Sequence, residues 1–154
     1  MMKLLKKSRG FTILEVLIVL VILSVISSSI FALMNVANVN FSVGLGMLDL
    51  HQQARQAMEW IVKEARQASL VTITNGSAIS INIPSATGIQ YYLGSNCLLR
   101  QYPAGTIRTI AHNISGLTFS QANKMLTVTV TANNTVQLKP LTFSLTQVVR
   151  LRNE

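Results

Sequence analysis

Few side chains in this sequence are of the types that act as acids, bases, nucleophiles or metal ligands. Asp49 and His51 lie two residues apart on a predicted helix, so their side chains do not face each other. His112 has no carboxylate close to it in sequence, and Cys97 has the strand setting of a small buried hydrophobe. We therefore predict no enzyme, no metal site and no cofactor. The acids beyond residue 35 are Asp49, Glu59, Glu64 and Glu154.

The remaining acid, Glu15, is the only charged residue within an apolar segment, residues 11–34. As a helix these 24 residues are about 36 Å long, which is enough to cross a hydrocarbon core of about 30 Å. A carboxylate costs roughly 2.5 kcal/mol or more near the centre of a bilayer, and somewhat less near its edge. Glu15 therefore indicates a functional partner.

The composition of the whole chain limits the classes of protein to which it can belong. A length of 154 residues allows one domain of ordinary size, with or without an appendage, and 49% hydrophobic with 12% charged residues excludes disorder. A single cysteine permits no intrachain disulfide.

The net charge is +8, and half of it lies in the first ten residues. Basic residues before an apolar span predict a cytoplasmic N-terminus, with everything after residue 35 across the membrane. These leader charges are Lys3, Lys6, Lys7 and Arg9.

Two ordinary interpretations of this N-terminus are a secretory signal peptide and an uncleaved signal anchor. The run Ser27-Ser28-Ser29 would serve as the small-residue cleavage site of the first. Either one would leave a membrane-anchored or secreted β-domain. Neither explains Glu15.

Residues 6–20, KKSRGFTILEVLIVL, closely resemble the processing and methylation motif of type IV prepilins and type II secretion pseudopilins. The resemblance implies that prepilin peptidase cuts between Gly10 and Phe11 and then methylates the new amino group of Phe11. It also implies a non-catalytic subunit, held in the inner membrane and then built into a type IV pilus or a secretion pseudopilus. Its partners would be other pilin or pseudopilin subunits, the inner-membrane assembly platform and membrane lipid.

Cleavage there would leave an ammonium group at Phe11, one helical turn from Glu15. In a low-dielectric setting, Glu15 of one subunit would pair strongly with the Phe11 amine of a neighbour and so set axial register in a filament. Two alternatives remain open: Glu15 pairs with the amine of its own chain, or it snorkels to the membrane interface.

We predict that the helix continues as an amphipathic segment, residues 35–69, after residues 1–10 as a leader and 11–34 as a transmembrane and assembly helix. Gly44 and Gly46 predict a softer stretch near its start, because each disfavours helix by up to about 1 kcal/mol. Residues at spacings of three and four predict a buried face. They are Met47, Leu50, Ala54, Met58, Ile61, Ala65 and Ala68, opposite Arg55, Glu59, Lys63 and Arg66.

Residues 70–154 alternate with the period of strands and predict an antiparallel sheet with a C-terminal tail. The fold class is therefore α+β and pilin-like, a long N-terminal helix packed on an antiparallel β-sheet. Turns are expected at Asn75-Gly76, Gly116 and Asn133-Asn134, and Pro140 indicates a bulge or an edge position. The predicted strands are 70–74, 78–83, 89–93, 97–101, 106–111, 117–120, 126–132 and 136–149.

Two finer hypotheses concern the strand region. Tyr91-Tyr92-Leu93 followed by Leu98-Leu99-Arg100 resembles a hairpin of the larger minor subunits, the pseudopilin J and pilus assembly W types. The lack of a C-terminal disulfide pair also favours a minor subunit. A second hypothesis is a basic face that binds DNA or acidic surfaces in a competence or adhesion filament, against a solvated surface as the simpler interpretation. The basic residues are Arg100, Arg108, Lys124, Lys139, Arg150 and Arg152.

Overall fold

The computed structural model describes residues 11–151, which form a long helix followed by eight strands. These residues belong to two compact units, divided between Phe41 and Ser42, and each unit is described by itself. The helix is α1, Ile13–Ala65. The strands are β1 Leu70–Thr74, β2 Ala78–Ile83, β3 Ala86–Gly94, β4 Cys97–Gln101, β5 Ile107–His112, β6 Ile114–Ala122, β7 Met125–Val136 and β8 Lys139–Arg150.

Thr12 caps the start of α1. Its Oγ1 accepts a hydrogen bond from the backbone N–H of Glu15 at 3.2 Å, and its carbonyl oxygen accepts from Glu15 and Val16. A threonine oxygen that satisfies a free N–H group of the first turn is a common way to begin a helix.

The helix is not interrupted at Gly44 and Gly46, because residues 35–46 are all helical, so the melting expected there is wrong. Gly46 permits a close approach in the second unit. A Cβ atom there would lie 2.6 Å from Cγ2 of Val136 and 3.1 Å from Cδ1 of Leu141. A Cβ atom on Gly44 would meet nothing within 4 Å. Packing of β7 and β8 against Gly46 therefore offsets part of the conformational cost of glycine in a helix.

The predicted amphipathic face is confirmed. Leu50, Ala54, Met58, Ile61 and Ala65 are buried, and Met47 packs against the same core. The four charged residues predicted for the opposite side are exposed. The helix ends at Ala65, four residues before the predicted boundary at 69, although Ala68 remains buried beyond it.

The antiparallel arrangement is confirmed, but the strands form two sheets where one meander was expected. The first has the order β1-β2-β3-β4-β5 and the second the order β6-β7-β8. The change of sheet falls at Asn113, whose φ of 58° turns the chain between β5 and β6. The core contains residues from α1 and from both sheets, including Ile61, Tyr91 and Val130.

The turn expected at Asn133-Asn134 is wrong. Both residues lie inside β7 and pair with Thr142 and Leu141 of β8. The chain reverses instead at Gln137 and Leu138, which have φ values of 47° and 64°. A two-residue hairpin loop requires such positive φ values, and twelve cross-strand pairs outweigh the turn preference of asparagine.

The turn expected at Gly116 and the edge position expected for Pro140 had different outcomes. Gly116 lies within β6, beside a register shift between Ile114 and Gly116, so it marks an irregularity and not a turn. Pro140 lies on β8, the outermost strand of its sheet, so the predicted edge position is confirmed.

Candidate functional site

The first unit presents an apolar helical surface that none of its described residues, 11–41, covers. Phe11 is 78% exposed, and every large apolar side chain from Ile13 to Ile26 is at least 48% exposed. An 18-residue stretch of α1 near the N-terminus is long and apolar enough to cross a membrane, and none of it is buried. A surface of this size needs lipid or neighbouring protein to cover it.

Glu15 lies in the first turn of this helix, and its side chain is exposed. Its backbone N–H is bonded to Thr12, but no hydrogen bond or ion pair of its carboxylate occurs among residues 11–151. A carboxylate in the first turn is favoured by the helix macrodipole. The carboxylate is therefore in place to accept a positive partner.

Thr12 is a residue that the sequence analysis missed. Thr12 and Glu15 have the Thr-x-x-Glu spacing of a capping box just before an apolar run, and that pattern was the available signal. Half of the box is formed, since Thr12 Oγ1 accepts from Glu15 N. The other predicted residues of this site, Gly10 and the four leader charges, lie outside the described residues.

The second unit brings Cys97 and His112 together. They are direct partners on β4 and β5, and Cys97 Sγ lies 3.3 Å from His112 Nδ1. Cys97 is half-buried, so the expectation of a small buried hydrophobe is only partly met. The carboxylate of Asp49 contacts the amides of Gln53 and Asn113, each at 3.4 Å.

The other histidine, His51, stacks on Phe143 with ring centroids 3.8 Å apart. It is therefore a packing residue on the helix. Within residues 11–151, no three histidine, cysteine, aspartate or glutamate side chains are grouped so that they would hold a metal ion.

A polar cluster that the sequence analysis did not foresee joins α1 to the first sheet. Glu64 is 9% exposed, and its Oε2 accepts a hydrogen bond from the phenol of Tyr91 at 2.8 Å. Its Oε1 accepts from Arg100 Nη2 at 2.7 Å and from Nε at 3.1 Å. Tyr91 and Arg100 are direct partners on β3 and β4, so the predicted strands 89–93 and 97–101 pair with each other. The signal was present, because Glu64 lies on the apolar stripe between Ile61 and Ala68.

This cluster shifts two ionisation equilibria. Burial, followed by the negative charge of Glu64, raises the pKa of Tyr91 well above its ordinary value. Burial works against the charged form of Arg100, but hydrogen bonds and attraction from Glu64 outweigh it and raise the pKa of Arg100. The folded state therefore favours a neutral phenol and a charged guanidinium.

Two of the predicted basic residues are held against aromatic rings. The guanidinium carbon of Arg100 lies 5.9 Å from the Trp60 ring centroid and 5.5 Å from that of Tyr102, and that of Arg108 lies 5.5 Å from Trp60. Arg100 is also ion-paired and mostly buried, so it does not belong to a free basic face. Arg152 lies outside the described residues.

A long N-terminal helix followed by antiparallel sheets is the α+β architecture of pilin-like proteins. Residues 5–31 match the family model of the prokaryotic N-terminal methylation motif, the signature of prepilins and pseudopilins. Neither curated proteins nor solved structures match this chain significantly. The motif supports a processed subunit of the type IV pilin or pseudopilin kind.

Proposed function

We propose that this chain is a non-catalytic minor pilin or pseudopilin, cut between Gly10 and Phe11 and methylated at Phe11. Its apolar helix then builds it into a type IV pilus or a type II secretion pseudopilus. The observation that carries the proposal is the uncovered apolar helix of the first unit, with a lone carboxylate, Glu15, in its first turn.

In the membrane, lipid covers this helix, with the N-terminus in the cytoplasm of the inner membrane and the second unit on the far side. In a filament, helices of neighbouring subunits replace the lipid. A methylated amine at Phe11 would supply the positive partner that Glu15 lacks among residues 11–151, and a low-dielectric setting strengthens such a pair. Pairing between subunits would therefore fix the axial register of assembly.

The absence of catalysis is part of the proposal. Cys97 and His112 form a thiol–imidazole pair, but the carboxylate of Asp49 is engaged by two amides and does not orient the imidazole. The DNA-binding alternative has weaker support, because Arg100 is neutralised by Glu64 and Arg108 lies over Trp60.

Intact mass of the purified protein tests the processing step. From cells that contain prepilin peptidase we expect the loss of residues 1–10 and the gain of one methyl group. From cells without the peptidase we expect the full chain. A Gly10→Val variant should stay uncut, whereas Gly44→Val, a matched change at an exposed glycine, should be cut normally. Cleavage near Ser29 would make the chain an ordinary secreted protein and refute the proposal.

A further inference from the structure

The second unit has a long unpaired strand edge along β8. β8 is the last strand of its sheet and pairs with β7 through twelve consecutive residues without a register shift. Within the described residues, no strand lies on its other side. A strand in this position presents a row of free backbone N–H and C=O groups to solvent.

The middle of β8 lacks the devices that usually protect such an edge. Proteins block exposed edges with charges, prolines or bulges. In β8 the charges and the proline lie only at the two ends, as Lys139, Pro140 and Arg150. Residues 141–149, LTFSLTQVV, contain neither, and they extend over roughly 30 Å at about 3.4 Å per residue.

The edge is held in a fixed, extended conformation. Leu141, Phe143 and Leu145 pack against the core from one face of β8. On the other face, the hydroxyl groups of Thr146 and Thr129 lie 2.9 Å apart, and those of Ser144 and Thr131 lie 3.2 Å apart. An incoming strand would therefore meet a preorganised template, which lowers the entropic cost of binding.

The charges select the kind of strand that fits. Residues 70–151 contain five basic residues and no acidic residue. A second copy of β8 in antiparallel pairing would bring Lys139 of one copy against Arg150 of the other, and parallel pairing would bring like against like. Both arrangements repel. A strand with acidic residues at both ends and an uncharged middle complements the edge.

We propose that β8 is a docking edge for an extended segment of a partner protein, with about nine uncharged residues flanked by acidic ones, which adds as a fourth strand to the β6-β7-β8 sheet. Backbone hydrogen bonds would supply the affinity, and Lys139 and Arg150 the preference for acidic ends. The inference concerns only the second unit and does not depend on where the N-terminus is cut.

Hydrogen exchange and peptide binding test this on the full chain in detergent micelles. The probe is a synthetic peptide of nine alternating threonine and valine residues, flanked by two aspartates at each end. We expect saturable binding and slower exchange of the backbone amides of residues 141–149. A peptide with proline in the middle should not bind, and one with lysine flanks should bind about tenfold more weakly.

A double variant tests the charge argument by changing the protein in place of the peptide. Lys139→Glu with Arg150→Glu should prefer the lysine-flanked peptide. Arg55→Glu with Arg108→Glu changes the net charge equally at two exposed positions, one on α1 and one on β5 of the other sheet, and should keep the original preference. Unchanged exchange in β1–β3 would show that both variants are folded. Lack of protection in β8, or equal binding of the proline peptide, would overturn the proposal. Concentration-dependent protection without peptide would overturn it in favour of a second copy.

Discussion

The phenol oxygen of Tyr91 lies 2.8 Å from Oε2 of Glu64, joining the centre of the first sheet to the last turns of α1 inside the core of the second unit. Arg100 donates a hydrogen bond to the other carboxylate oxygen of Glu64, so one buried carboxylate accepts hydrogen bonds from side chains on two strands. Buried polar groups of this kind are costly to leave unpaired, so we expect the loss of one partner of the cluster to destabilise this unit.

Glu64→Ala should lower the free energy of unfolding by about 3 kcal/mol, because it leaves Arg100 as a largely buried charge without its partner. Chemical denaturation of the full chain in detergent, followed by near-ultraviolet circular dichroism, measures the change. Glu59→Ala, five residues earlier on the exposed side of the helix, should change the same quantity by less than about 0.5 kcal/mol. Equal effects of the two variants would contradict the structural role of Glu64.

Tyr91 should make the protein less stable in alkali. Its pKa is raised in the folded state, so the unfolded chain releases the phenol proton first, at a pH of about 10. Stability is therefore complete below about pH 10 and falls as the pH rises further, by up to about 1.4 kcal/mol per pH unit. Denaturation at pH 8, 10 and 11 measures this slope. Tyr91→Phe should reduce the slope, and Tyr92→Phe should not; equal slopes in all three proteins would refute the assignment.

The two helix glycines should respond to alanine with opposite signs. Gly44→Ala should raise the free energy of unfolding by about 0.5–1 kcal/mol, because nothing contacts the new methyl group. Gly46→Ala places that group 2.6 Å from Cγ2 of Val136, a stiff β-branched side chain, and should lower stability by about 1 kcal/mol. Chemical denaturation of the two variants and of the unchanged chain measures both changes in the free energy of unfolding. A gain in both variants would mean that β7 and β8 yield to the added methyl group.

Glu15→Ala should leave cleavage after Gly10 intact and reduce incorporation into filaments by about tenfold, the effect of losing roughly 1.4 kcal/mol per subunit. The measurement is the ratio of sheared filament protein to total protein, with processing followed by intact mass. Glu15→Gln keeps the size and removes the charge, so it should behave like Glu15→Ala. Unchanged assembly in either variant would disprove pairing of the carboxylate with an amine, without affecting the proposed cleavage.

Local pattern allowed much of the fold to be predicted from sequence. The apolar run, the stripe from Leu50 to Ala65 and the hairpin at Asn75-Gly76 each depend on neighbours within a few residues, and each is found in the structure. The division into two sheets and the turn at Gln137-Leu138 were not predicted. The division into sheets depends on which strands of the whole chain pair, and the turn depends on the twelve residue pairs between β7 and β8, which override the preferences of Asn133 and Asn134.

The candidate sites also differ in whether local sequence or tertiary structure determines them. The sequence alone determined the N-terminal motif, because a glycine, an aromatic residue, a lone acid and an apolar run are local features that the family motif match confirms. Only the tertiary structure decided that Glu64, Tyr91 and Arg100 meet, since Tyr91 and Arg100 lie 27 and 36 residues after Glu64 in the sequence. Sequence spacing cannot report which side chains a folded sheet brings to one helix face, because that depends on strand register and burial. For the same reason the open edge of β8 is visible only once the order of the strands is known.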